Sequence, residues 1–342
     1  MRDAATTTPD RWLLLAALTA TAIVGVGGTA GVEVSSTREL SAAVLFDGFA
    51  VLDGTPNDRH VIQVDRDGGS PTRRAIPVIA PEARMIGTWA GVAIGWHDKG
   101  KIQFARVTGD GELGEVSTWG KGVTQLCDGT ASDELRWGFG WLQKDGRVWL
   151  LHGQTKQTVS TLASTSDVTA AAAKTVWCGV TSAGSDIGLF WRDAAGKLFV
   201  NLCSQKSCSS RVTRIPFDPK QKLEGLACTA KSCLVAFRND RGAQVGSITL
   251  PQGRVTWIKP LADATADTTF SLVAAGDQAF AIGYVSREGA IVSRVIASSS
   301  MVRAWADPYS QEVPALAWAD DRLLVAHRHG DKVAPEVVPL PR

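Results

Sequence analysis

Four short runs, Leu223-Glu-Gly-Leu-Ala-Cys228, Cys233-Leu-Val-Ala-Phe-Arg238, Ala243–Leu250 and Arg254-Val-Thr-Trp-Ile258, decide how this chain folds. Turn-forming segments separate them: Thr229-Ala-Lys-Ser232, Asn239-Asp-Arg-Gly242 and Pro251-Gln-Gly253. Asn, Asp, Gly and Pro supply the backbone geometries of tight turns, so the pattern reads as four strands joined in series. The second run is continuously apolar up to Phe237, as expected of a strand covered on both faces.

The same pattern recurs along the chain. Phe49–Gly54, Val92–Gly100, Phe139–Gly146, Gly188–Gly196, Leu234–Gly242, Ala281–Gly289 and Leu323–Gly330 are each a short apolar run followed by a turn marked by Gly. The closing glycines, 54, 100, 146, 196, 242, 289 and 330, are spaced by 46, 46, 50, 46, 47 and 41 residues. The third runs of the first two copies alternate or nearly so, through Val61 and Val64 and through Ile102, Phe104, Ala105 and Val107. After residue 40 no amphipathic helix is apparent, and the Ala-rich piece Ala170–Lys174 is too short for one.

Four strands repeated every 40–50 residues is the arrangement of propeller blades. Over residues 32–340 the chain resembles the β-propeller superfamily, without matching a specific family in it. The Gly-His…Trp-Asp signature of WD repeats is absent, although Trp305-Ala-Asp307 and Trp318-Ala-Asp320 come close. The sialidase-type Asp box is missing, and His97-Asp98-Lys99-Gly100 shares only its Asp-x-Gly core. The repeated sugar-binding set of fucose lectins is also missing. The resemblance implies an all-β, seven-bladed propeller of four-stranded antiparallel blades. The last copy supplies three strands, near Pro314–Ala319, Arg322–His327 and Val333–Val338. A strand around Val32–Ser36 is therefore expected to complete it and close the ring.

Residues Trp12–Val26 form an uncharged apolar stretch of 15 residues, preceded by Arg11 and followed by Gly27-Gly-Thr-Ala30. That is short for a spanning helix and suits a signal peptide, with Gly28 and Ala30 framing a cleavage site. Asp3 and Asp10 offset Arg2 and Arg11, so an uncleaved membrane anchor stays open as the rival. Segment 1–30 is thus read as signal peptide or anchor and 31–342 as one propeller domain, exported to the periplasm or beyond the cell. Six cysteines fit that compartment. Cys203 and Cys208, and Cys228 and Cys233, have hairpin spacing and are expected to pair; Cys127 and Cys178 then join neighbouring units. The C-x4-C spacing also admits zinc, but export favours disulfides.

Lys and Arg number 36 against 34 Asp and Glu, a net charge of +2, which removes the electrostatic case for a nucleic-acid partner. The chain holds 12 Trp but only 2 Tyr. Trp96, Trp141 and Trp191, with Phe237 and Tyr284 in later copies, end the second strands, where large rings fill the gap between twisted blades. Stacking on a sugar is the rival role.

The turns after those aromatics carry charge and lie on one face of the ring, together with loops such as Ala163–Lys174 and Lys259–Thr268 that lead to the next blade. Trp96, His97, Asp98, Trp191, Arg192, Asp193, Arg238, Asp240 and Arg287 are the candidate ligand contacts. His327 and His329 share one side of a strand, followed by Asp331, and would hold a metal only with a third ligand from another blade; solvated strand-end histidines are commoner, so none is expected. Val64-Asp-Arg-Asp-Gly68 lacks the later ligands of a calcium loop and reads as a turn. No nucleophile elbow, dinucleotide fingerprint or phosphate loop occurs, and no cofactor is implied. These features favour a binding module for a protein or glycan. A polysaccharide hydrolase or lyase using Arg192, Asp193, Arg238 and Asp240 is the alternative, and a structural envelope protein the third reading.

Overall fold

A computed structural model of the chain describes residues 39–340, apart from 132–135, 155–161, 168–174, 204–211 and scattered shorter stretches. The strands fall into seven antiparallel blades, covering 39–76, 83–119, 123–167, 175–215, 222–260, 271–307 and 315–339. Blades 1 to 6 have four strands each, and three strands of blade 7 are described. The first strand of each blade packs against the first strands of its neighbours, and blade 7 packs against blade 1 in the same way. First strands therefore line the axis and the ring is closed. This is a seven-bladed β-propeller. The expected completing strand at Val32–Ser36 and the apolar stretch Trp12–Val26 lie outside the described residues, as does Ala170–Lys174. Among the described residues no helix is long and apolar enough to cross a membrane.

All seven repeat glycines have positive φ, which explains why glycine recurs there: a side chain at those angles is strained. In six blades the glycine lies in the turn between second and third strands or just after it. Blade 1 departs from the expected pattern, because Gly54 (φ 134°) pairs with Arg59 inside the hairpin and the turn falls at Pro56-Asn57. A Cβ on Gly54 would meet the Asp58 carbonyl at 1.9 Å, so glycine there permits close strand approach. Loop boundaries shift too. Leu162–Asp167 is the fourth strand of blade 3, and Arg254–Pro260 that of blade 5, so both inter-blade loops begin later than expected. Asp65 accepts hydrogen bonds from the Asp67 and Gly69 amides, making Val64–Gly68 the turn it was read to be.

The core lies between blades. Trp141 packs with Ile86, Ile102 and Phe104 of blade 2; Phe237 packs with Phe190, Leu198 and Val200 of blade 4. Each ring wedges its own blade against the preceding one. Cys127 and Cys178 form a disulfide between the first strands of blades 3 and 4 (Cα–Cα 4.8 Å), and Cys228–Cys233 staples the first hairpin of blade 5. Cys203 is also disulfide-bonded; Cys208 lies outside the described residues. Disulfides of this kind suit an oxidising compartment.

Burial lowers the pKa of His152, in blade 3, below its ordinary 6.5, because the interior disfavours the imidazolium. The unfolded chain then takes up the proton first. The stability tied to neutral His152 is complete above about pH 6.5 and is lost as pH falls through the lowered folded value. Urea midpoints measured from pH 7.5 down to 5 should fall, and the fall should be shallower in His152→Gln.

Candidate functional site

Superposing the hairpins by their strand pairing reveals a column of residues two positions before the end of each second strand. Blades 2 to 6 place Trp96, Trp141, Trp191, Phe237 and Tyr284 there. Blade 7 places His327 and blade 1 places Asp53. The inter-blade wedge is aromatic five times and ionisable twice, and the two exceptions are neighbours in the ring. Burying charge without a partner is costly, so these positions must carry their own polar networks.

They do. Successive strand residues point to opposite faces, so the second strand of blade 7 (Arg322–His329) sends Arg328 toward blade 1 and His327 and His329 toward blade 6. Arg328 donates from Nη2 to Asp53 Oδ1 at 3.0 Å and from Nη1 to Glu312 Oε2 at 2.6 Å. Asp53, 0% exposed, lies 3.4 Å from Arg73 as well. Nearby Arg59, equally buried, donates to the Val78 and Ala80 carbonyls and pins the loop to blade 2.

On the other side, Asp307 ends the fourth strand of blade 6 (Met301–Asp307). Its Oδ2 lies 3.1 Å from His327 Nδ1 and 3.0 Å from His329 Nε2. Its Oδ1 accepts the Tyr309 amide at 2.9 Å, which fixes the carboxylate's orientation. His327 is 1% exposed and its Nε2 donates to Glu336 Oε1 at 2.9 Å, while Trp305 Nε1 donates to Glu336 Oε2. His327 is therefore no solvated strand-end histidine; the fourth strand of the neighbouring blade covers it. His329 is half exposed. Tyr309, beside it at 6.5 Å between ring centres, is 81% exposed. A Cβ on Gly289 would strike the Asp307 carbonyl at 2.3 Å, so glycine in the blade 6 turn lets the Asp307–Ser310 segment fold over it. The Ala290 amide donates to Ser310 there.

The residues singled out from sequence are distributed over blades 2, 4, 5 and 6. Trp191 is 3% exposed and stacks on Phe199, leaving no ring face for a ligand. Trp96 packs partly buried against the core of blades 1 and 2. His97 Nε2 accepts the Gly100 amide, and Asp193, buried, accepts the Ala195 and Lys197 amides, so both brace their own turns. Arg238 donates to the Thr268 carbonyl and lies 3.6 Å from Glu224. Arg192 is half-buried, while Asp98, Asp240 and Arg287 are exposed at turn tips. Asp263, in the loop from blade 5 to blade 6, accepts the Tyr284 hydroxyl; burial and that carboxylate push the phenol pKa up.

Structural comparison finds other propellers at low identity. A Mycobacterium tuberculosis puromycin-hydrolyzing peptidase has a TM-score of 0.56 and 13% identity over 90% of this chain and 53% of its own. A catalytically inactive virginiamycin B lyase from Staphylococcus aureus, with quinupristin, gives 0.53 and 12% over 90% and 97%. BBS1N in complex with ARL6DN gives 0.52 and 13% over 94% and 97%. The fold is shared. This chain spans about half the length of the puromycin-hydrolyzing peptidase, and likewise 52% of a puromycin hydrolase S511A mutant complexed with PGG, which it matches with a TM-score of 0.52 and 10% identity over 89% of this chain. No protein-family model and no curated protein matches the sequence.

Proposed function

We propose that the protein is an exported binding module whose protein or glycan partner docks on the turn face of blades 6 and 7. One observation carries this reading: Tyr309 stands 81% exposed on that face. It is flanked by the Arg287-Glu288 turn and by His329, with Arg303 3.6 Å from Glu288. An exposed tyrosine with charged neighbours is the common anchor of recognition surfaces, since its rigid ring gives contact area at small entropic cost. Export rests on the disulfides and on the apolar N-terminal stretch. The alternative of a polysaccharide hydrolase or lyase is weakened by the roles of Asp193 and Arg238, which brace turns and loops.

A glycan array and crosslinked capture from envelope extract, each run with wild type and Tyr309→Ala, test the reading. Binding should weaken at least tenfold in the variant, on the scale of an aromatic hot spot (about 2 kcal/mol). Equal binding by both proteins, or silence in both assays together with turnover of a polysaccharide, would contradict it.

A further inference from the structure

We infer that His327, His329 and Asp307 form a divalent-metal site, most suited to Zn2+, at the junction of blades 6 and 7. The donor atoms are His327 Nδ1, His329 Nε2 and Asp307 Oδ2, and all lie within 4.8 Å of one another. Metal–ligand bonds of about 2.0–2.2 Å place tetrahedral donors roughly 3.3–3.6 Å apart. The two edges at Asp307, 3.0 and 3.1 Å, are close to that, whereas the set spans up to 4.8 Å, so the two imidazole nitrogens must close by roughly 1 Å around an ion, a movement open to the half-exposed His329. Two imidazoles and one carboxylate are donors that first-row divalent ions accept, and three protein ligands leave a position for water or an oxygen ligand. The inference goes beyond the binding-module reading and does not depend on it.

Two further observations point to a cation. First, Asp307 Oδ2 and His327 Nδ1 are buried and face one another without a hydrogen bond. A neutral imidazole that donates from Nε2 to Glu336 presents a lone pair at Nδ1. That lone pair confronts a carboxylate oxygen, an arrangement that is repulsive until a positive charge lies between them. Second, the partners around the donors are those of a built site. Glu336 fixes the tautomer of His327 and is itself held by Trp305, and the Tyr309 amide aims the Asp307 carboxylate. A carboxylate behind a ligating histidine orients the ring and raises its basicity. The alternative occupant of the gap is a second proton on His327.

The test uses untagged full-length protein, stripped with chelator and titrated with Co2+ and Zn2+ alone. The other three histidines of the chain, His60, His97 and His152, lie in blades 1, 2 and 3. One Co2+ per chain should bind with visible d–d bands, and Zn2+ should displace it and raise Tm. His329→Ala removes a half-exposed ligand and should abolish both the bands and the Zn2+-dependent rise. Asp307→Asn, nearly the same shape, should do likewise. Glu336→Gln should bind the metal about 10–100-fold more weakly, as outer partners do. Absence of stoichiometric binding by wild type, or unchanged binding in folded His329→Ala and Asp307→Asn, would overturn the inference and leave the doubly protonated His327 as the account of the gap.

Discussion

Arg328→Met is expected to lower the free energy of unfolding by about 3 kcal/mol, the low end of the roughly 3–5 kcal/mol typical when one partner of a buried ion pair is removed. The loss comes from Asp53, which the substitution leaves buried without its 3.0 Å guanidinium partner. Arg73 at 3.4 Å moderates it, and Glu312, half exposed, turns to solvent at little cost. The position matters because Arg328 and Asp53 are 275 residues apart in sequence and join the last blade to the first. Adding Asp53→Leu to Arg328→Met should recover most of the loss, since a well-packed apolar pair replaces an ionic one with small net change. Urea unfolding of the three variants and wild type measures both effects. If Arg328→Met were as stable as wild type, the ring would not depend on this contact.

Removing the disulfide with Cys127→Ala and Cys178→Ala should cost about 4 kcal/mol, from the chain-entropy estimate for its 51-residue separation. The Cys228–Cys233 bond closes a loop of only 5, and removing it with Cys228→Ala and Cys233→Ala should cost about 2 kcal/mol. The pairs thus rank in a definite order. Cys127–Cys178 ties first strands of adjacent blades, so its loss frees one blade from the next, whereas Cys228–Cys233 fastens a hairpin that its ladder already holds. Equal urea midpoints for the two double variants would show that loop closure is not the source of the stabilisation.

The fold was largely legible because its repeat is written in backbone requirements. Positive φ at seven places demands glycine, and twisted blades demand large rings at the ends of second strands. The Cys228–Cys233 pair followed from its hairpin spacing, and Cys127–Cys178 from being the two cysteines left over. The site was harder to read. Charged turn residues such as Asp193 and His97 looked like ligand contacts, yet their side chains cap the turns that hold them, and polar turn chemistry serves both ends equally. Trp191 looked available because it ends a strand, but the preceding blade covers it. What did carry a signal was departure from the column: His327 and Asp53 stand where other blades have an aromatic ring. The partners Asp307, Glu336 and Glu312 are set by how blades face one another, which no spacing along the chain reveals.

The proposed partner docks on the turn face of blades 6 and 7, around the exposed Tyr309. Hydrogen–deuterium exchange of the protein, alone and saturated with the glycan or protein it captures, measures that directly. Amides of 287–290, 309–312 and 329–331 should slow on binding while the hairpins joining first to second strands, on the opposite face, keep their rates. Protection confined to the opposite face, or to blades 2 to 4, would contradict the placement of the partner on blades 6 and 7.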